Sequence, residues 1–252
     1  MSKVLAEAPG EHCVAGVKHS GEAKGDVEVI AGVETYVSKP PTGDGTKFKK
    51  IILFFADVYG PLYINNKLIQ DYFASHGFLV VGIDYFEGSP VQDNASKPEF
   101  ELSTWITGPR ERAAILVPKW TEAVKEKYGL PDTKYSAVGY CFGGPFVMEH
   151  GAKDLISAGA IVHPAFLNEE HFHNMRVPLL LSCAETDSTF GLENRRRAED
   201  ILVEAKRTYH FQVFSGVTHG FAIRGNPEVE NERWAKEESA RGIITWFERF
   251  SV

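Results

Sequence analysis

The stretch VGYCFGG, residues 138–144, sets a single cysteine, Cys141, between a packed apolar run and a pair of glycines. Its core, Gly139-Tyr140-Cys141-Phe142-Gly143, fits the pattern glycine, any residue, nucleophile, any residue, glycine. That pattern describes a sharp strand-to-helix turn, strained enough that its flanking positions must lack side-chain bulk. Such a turn lifts the central side chain to the head of the following helix. A helix N-terminus favours negative charge and lowers the pKa of a thiol.

A turn of this kind needs a buried strand before it and a helix after it, and the surrounding sequence supplies the same alternation. KKIILFF, GFLVVGID, YSAVGY, AGAIVH, VPLLLSC and YHFQVF are short runs rich in β-branched or aromatic residues. They read as strands buried on both faces. Amphipathic segments separate several of them: NNKLIQDYFASHG, GPRERAAILVPKWTEAVKEKYG (with Pro118 expected to kink or break it) and GLENRRRAEDILVEAKR. NPEVENERWAKEESARGIITWFERF closes the chain with Ile243, Ile244 and Phe247 on one stripe. Strands alternating with helices predict an α/β fold with a mainly parallel sheet. Ahead of it, DVEVIAGVETYVSKP alternates about a glycine turn and predicts an antiparallel pair. The segment between Phe86 and Gly108 has no clear pattern and is expected to border a pocket.

The chain has 252 residues, of which 43% are hydrophobic and 24% charged, as in an ordinary globular protein. That length suits one domain, residues 1–252, with 1–25 an irregular lead-in. A net charge of −7 argues against a nucleic-acid or anionic-membrane partner. The longest apolar runs are far too short to span a bilayer, and the N-terminus lacks a signal-type apolar core. Three cysteines, Cys13, Cys141 and Cys183, are an odd and sparse set that suits a reducing compartment, so a cytoplasmic protein is expected. The composition is compatible with a monomer or a homodimer.

In open α/β sheets, ligands gather beyond the carboxyl ends of the strands. Asp57, Cys141, Asp187 and His219 each follow a predicted strand closely, so a thiol, two carboxylates and an imidazole converge on one rim. The order Cys141, Asp187, His219 is the nucleophile–acid–histidine order of α/β-hydrolases. In those roles His219 takes the thiol proton, and Asp187 fixes the imidazole tautomer and stabilises its cation. The N–H groups of Phe142 and of Val58, after the first strand of the parallel set, are the expected oxyanion donors. Glu185, two residues away, is the rival to Asp187. Cys183 reads as core. His12, Cys13 and His19 match no zinc spacing, and nothing in the sequence pairs His163, His171 or His173 with the rim. Tyr63, Tyr85, Trp105, Phe142 and Phe221 are candidates to line an apolar pocket.

With these motifs in order, GYCFGG, ETD and THGF, together with GIDYFEG, the chain resembles the dienelactone hydrolase family from about Phe48 to its C-terminus. HCVAGVKHSGEAKGDVE resembles the fungal branch. The resemblance implies an α/β-hydrolase fold and cleavage of a small-molecule lactone, ester or thioester through an acyl-cysteine, with no metal and no cofactor. It also implies that Asp57 occupies the position of the family's thiol-activating acid, where members acting on dienelactone carry Glu. The substrate-carboxylate arginines of those members are matched incompletely. The loop EGSPVQ has none and begins with Glu87, while Arg224 is shifted by one residue. A neutral or bulkier aromatic substrate is therefore expected, with Arg224, Tyr85 and Phe221 as candidate contacts. Two alternatives use the same site. One is a lactone-forming or rearranging enzyme of secondary metabolism. The other is a non-catalytic, ligand-binding or redox-sensing pseudo-hydrolase.

Overall fold

The apolar runs form strands whose alternate residues enter two different cores. In chain order the strands are β1 (Val4–Ala6), β2 (Asp26–Ile30), β3 (Val33–Ser38), β4 (Phe48–Phe55), β5 (Leu79–Ile83), β6 (Gly129–Tyr140), β7 (Ala158–Val162), β8 (Leu167–Asn168), β9 (Leu179–Thr186) and β10 (Tyr209–Thr218). Along β4 and just beyond it, Ile51, Leu53 and Phe55 join one cluster, while Ile52, Phe54 and Ala56 join the other. This is the two-residue period of a strand covered on both sides. The computed structural model describes residues 2–42 and 45–252, and only the backbone of Glu11 and His12. The side chain of His12, weighed above as a metal ligand, therefore lies outside the description.

Eight strands form one sheet in the order β10-β9-β7-β6-β4-β5-β3-β2. From β10 to β5 every pairing is parallel, and β3 and β2 add an antiparallel edge. The hairpin between β2 and β3 turns on Ala31 (φ 51°) and Gly32 (φ 81°), two left-handed residues as in a tight I′-type turn. The helices are α1 (Ile64–Ser75), α2 (Leu102–Trp105), α3 (Thr107–Tyr128), α4 (Gly144–Ala152), α5 (Glu169–Asn174), α6 (Leu192–Glu204), α7 (Phe221–Arg224) and α8 (Glu230–Phe250). The buried faces of α3, α4 and α6 cover one side of the sheet, and those of α1 and α8 the other. Among the described residues no helix is long and apolar enough to cross a membrane.

Three segments differ from expectation. Pro118 lies inside α3 without ending it. Burial of Ala113, Val117, Trp120, Thr121 and Val124 along one face outweighs the one backbone hydrogen bond that proline removes. The unpatterned stretch after Phe86 holds a 3₁₀ turn at Val91–Asp93 and the short α2, whose Trp105 stacks on Phe86 with centroids 5.7 Å apart. The lead-in is not wholly irregular: β1 pairs with β8, and a 3₁₀ turn at Glu11–Val14 follows.

Candidate active site

Cys141 directly follows β6 with φ +47°, a left-handed conformation that costs a non-glycine residue roughly 1–3 kcal/mol. The flanking glycines permit the turn by close backbone approach. A Cβ on Gly139 would strike the Gly143 carbonyl, and one on Gly143 would strike the carbonyl of Phe55 on β4. His219 follows β10 between a register shift and the left-handed Gly220 that opens α7. Its Nδ1 lies 2.9 and 3.1 Å from the two carboxylate oxygens of Asp187, just past β9. Asp187 Oδ1 also accepts from the N–H and Oγ1–H of Thr189 (2.8 Å each) and from the Phe190 N–H (3.1 Å). Burial alone would raise the Asp187 pKa, but His219 and these donors outweigh it and hold the carboxyl below its usual range. Burial likewise disfavours the His219 cation, yet Asp187 and then Cys13 raise its pKa overall. Glu185, the rival acid, is exposed and accepts from the Gly216 N–H at 2.8 Å instead.

The sulfur of Cys141 does not face water: the residue is 0% exposed. Its thiol points to Cys13 Sγ at 3.8 Å. A ring nitrogen of His219 and the two sulfurs all lie within 4.8 Å of one another, the one metal-ligand-type grouping among the described residues. Burial and the adjoining Cys13 sulfur raise the Cys141 pKa, against the N–H of Phe142, which lowers it. Cys13 moves the other way, pulled down first by the hydrogen bond from Cys141 and, against burial, by His219. Two thiolates in contact repel, so the pair carries one negative charge, held on Cys13 against the imidazolium.

Around this centre the ring of Phe142 packs 5.1 Å from Tyr85, 5.2 Å from Phe86 and 6.2 Å from Phe166. The N–H of Val58 donates no hydrogen bond among the described residues. A thiol at a strained turn, an imidazole within reach and a carboxylate fixing that imidazole can together move a proton off sulfur.

The family model for the dienelactone hydrolase family matches residues 33–251. A curated relative, "Dienlactone hydrolase 1" of Gibberella moniliformis, is 37% identical over 97% of this chain and 95% of its own. The chain belongs to the dienelactone hydrolase family. It is thus an enzyme, a dienelactone hydrolase-like hydrolase acting on carboxylic ester or lactone bonds. "Hydrolase pyvD" of Aspergillus violaceofuscus is 33% identical, covering 96% of this chain and 97% of its own. A solved putative dienelactone hydrolase from Klebsiella pneumoniae superposes with a TM-score of 0.69 at 14% identity, over 86% of this chain and 93% of that one. That likeness is one of fold, and the fold is the α/β-hydrolase one.

Asp57 and Arg224, expected from the sequence as a thiol-activating acid and a substrate contact, meet each other. Arg224 Nη1 pairs with Asp57 Oδ2, both side chains being buried. Asp57 Oδ1 accepts from Asn66 Nδ2 (2.9 Å) and the Tyr59 N–H (3.2 Å). No hydrogen bond joins Asp57 to Cys141 among the described residues; Cys13 stands there instead. Arg224 also donates from Nε to the Ala15 carbonyl (2.9 Å), and its guanidinium lies 4.7 Å from the Tyr59 ring centroid. The Tyr85 hydroxyl donates to the Ala56 carbonyl and the residue is fully buried, so it serves as packing. Phe221 packs on Phe214 and also borders a small cavity beside His219 and Arg224. Two neighbours of the site were not expected. His163 directly follows β7 and sets its ring 4.8 Å from that of His219. The rule of reactive groups after strands would have found it. Cys13 reaches the site only through the path of the lead-in, for which the sequence carries no periodic signal.

Proposed function

We propose that the enzyme hydrolyses an ester, lactone or thioester with Cys141 as nucleophile, His219 as general base and acid, and Asp187 as the group that orients and charges the imidazole. The observation that carries this reading is the strained, positive-φ cysteine at the strand-to-helix turn, with the His219–Asp187 pair within reach of its sulfur. Substrate entry must move the covering residues, because Cys141 has no exposed surface. As the covering segment moves, Cys13 takes its proton back from His219; the neutral imidazole then accepts the proton of Cys141 while its sulfur adds to the carbonyl. The oxygen of the tetrahedral intermediate, now anionic, meets the N–H groups of Phe142 and Val58. Collapse expels the alcohol or enol oxygen, protonated by His219, and leaves a thioester on Cys141. Water, deprotonated by His219, then adds to that thioester and the acid departs with sulfur restored.

The surroundings favour an uncharged aromatic or apolar substrate. Tyr85, Phe86, Phe142, Phe146 and Phe166 make an aromatic wall beside the turn. Arg224, the candidate anion clamp, is already neutralised by Asp57. A panel of aryl acetates and benzo-fused lactones, run in ¹⁸O-water with wild type and Cys141→Ala, tests the reading. Turnover with one labelled oxygen in the acid product, lost in the variant by about a thousandfold or more, is expected. Equal turnover by Cys141→Ala would remove the nucleophile from the mechanism.

A further inference from the structure

We infer that Cys13 and Cys141 are a redox pair, able to close into a reversible disulfide that caps the sulfur at the strand-to-helix turn. The juxtaposition is direct. The two sulfurs are 3.8 Å apart, both residues are 0% exposed, and the thiol of one is directed at the other. A disulfide requires about 2.05 Å between sulfurs, so one side must advance by roughly 1.8 Å. The backbone of Cys141 does not supply that movement, since its turn is wedged between β4 and α4 by the close contacts of Gly139 and Gly143.

Cys13 can supply it. It rides on a single 3₁₀ turn in the segment joining β1 to β2, a strap that has no ladder partner. The strap is held by a few polar contacts. Tyr59 Oη donates to the Val14 carbonyl (2.8 Å) and Arg224 Nε to that of Ala15 (2.9 Å). Asn65 Nδ2 donates to the Val17 carbonyl (2.8 Å), and the Val17 N–H to the Arg224 carbonyl (2.9 Å). A rotation within Glu11–Val14 shifts the sulfur while these anchors persist.

The chemistry closes with a hydroperoxide as the oxidant. The thiolate of Cys13 attacks the O–O bond, becomes a sulfenic acid and releases an alcohol, or water from hydrogen peroxide. Cys141 then gives its proton to the site and attacks the Cys13 sulfur. The S–O bond breaks, hydroxide leaves with that proton as water, and the S–S bond forms. Two thiols have lost two electrons and two protons, and the peroxide has gained them. The His219 imidazolium keeps Cys13 in the reactive thiolate form, consistent with the depressed pKa of that thiol. A dithiol reopens the bond by thiol–disulfide exchange, returning both cysteines to thiols and becoming the disulfide itself. The same bond pins the strap over the site, so oxidation shields Cys141 from irreversible sulfinic acid formation while it stops turnover.

The existence of the bond is independent of Cys141 being the nucleophile; the loss of turnover rests on that reading, so the two are measured separately. Reduced full-length protein, in chelator-containing buffer, is titrated with hydrogen peroxide and mapped without reduction. The expected result is one linked peptide pair, Cys13 with Cys141, lighter by two hydrogens. Cys183, buried within β9, stays free to alkylate on denaturation. Aryl-ester turnover should fall at least about tenfold in parallel and return with dithiothreitol. In Cys13→Ser, peroxide should instead drive Cys141 to species that dithiothreitol does not restore. Wild-type protein in which Cys141 gains oxygen atoms while Cys13 remains alkylatable would overturn the inference. A linked pair formed with turnover undiminished would uphold the bond and overturn the nucleophile.

Discussion

At the scale of single residues, Cys141, Asp187, His219 and His163 each lie at or just beyond a strand end, and Cys13 joins them from the lead-in. Asp187 is the clearest case for measurement. Its carboxylate takes both oxygens to His219 Nδ1 and three donors from Thr189 and Phe190. Asp187→Asn keeps the shape but removes the charge and offers the wrong tautomer. A fall in kcat of about 10³- to 10⁴-fold with KM little changed is expected from steady-state kinetics. A change confined to KM would assign Asp187 to binding instead. Cys141, Asp187 and His219 were readable because each is a reactive type at a strand end framed by glycine or a turn. His163 obeys the same positional rule but lacks a framing motif. Cys13 was not readable as a neighbour of Cys141, since 128 positions separate them and only tertiary folding closes that distance.

At the scale of elements, the turn from β6 into α4 stores strain at its centre. Cys141 holds φ +47° where glycine would be at ease. Cys141→Ala and Cys141→Gly both remove the thiol, but only glycine removes the strain. The glycine variant should therefore unfold later in urea than the alanine variant, by about 1 kcal/mol, although glycine ordinarily weakens a chain. An alanine variant equal or superior in stability would mean that the turn is unstrained. The inner strands were legible from their apolar runs because both faces are buried, and the β2–β3 pair from its alternation; YHFQVF, read the same way, forms the edge strand β10, where His210 and Val213 are exposed. α3 was legible except at Pro118, where a local rule lost to packing along the buried face. α2 and the 3₁₀ turns were not, since elements of three or four residues carry no period.

At the scale of the whole molecule, buried histidines couple folding to pH. Burial lowers the His150 pKa from 6.5 to about 4, with Phe146 O and Thr121 as its hydrogen-bond partners. Burial, then the charge of His219, lowers that of His163 to about 3. Both stay neutral in the native state where the unfolded chain takes up protons. Their stabilisation is complete above pH 6.5 and declines as pH falls below it, by about 2 kcal/mol each at pH 5. His219 has the opposite sense. Its pKa is raised to about 10, so its contribution is full below 6.5 and is lost as pH rises toward 10. Urea titrations at pH 7 and pH 5 should show a loss of several kcal/mol, reduced in His150→Asn. Equal stability at the two pH values would contradict this. The parallel sheet was legible at this scale too, because strand-and-helix alternation leaves few other ways to cover both faces. The closure of the site was not, as it depends on where an unpatterned strap lies down.

The claim on which the mechanism turns is that acyl groups pass through the sulfur of Cys141. Rapid-quench mass spectrometry during turnover of an aryl ester, followed by peptide mapping at acidic pH, reads it directly. The acyl mass should appear on the peptide carrying Cys141, rise and decay with turnover, and be cleaved by hydroxylamine. Turnover with that peptide never modified, or with the acyl group on Cys13 instead, would contradict the account.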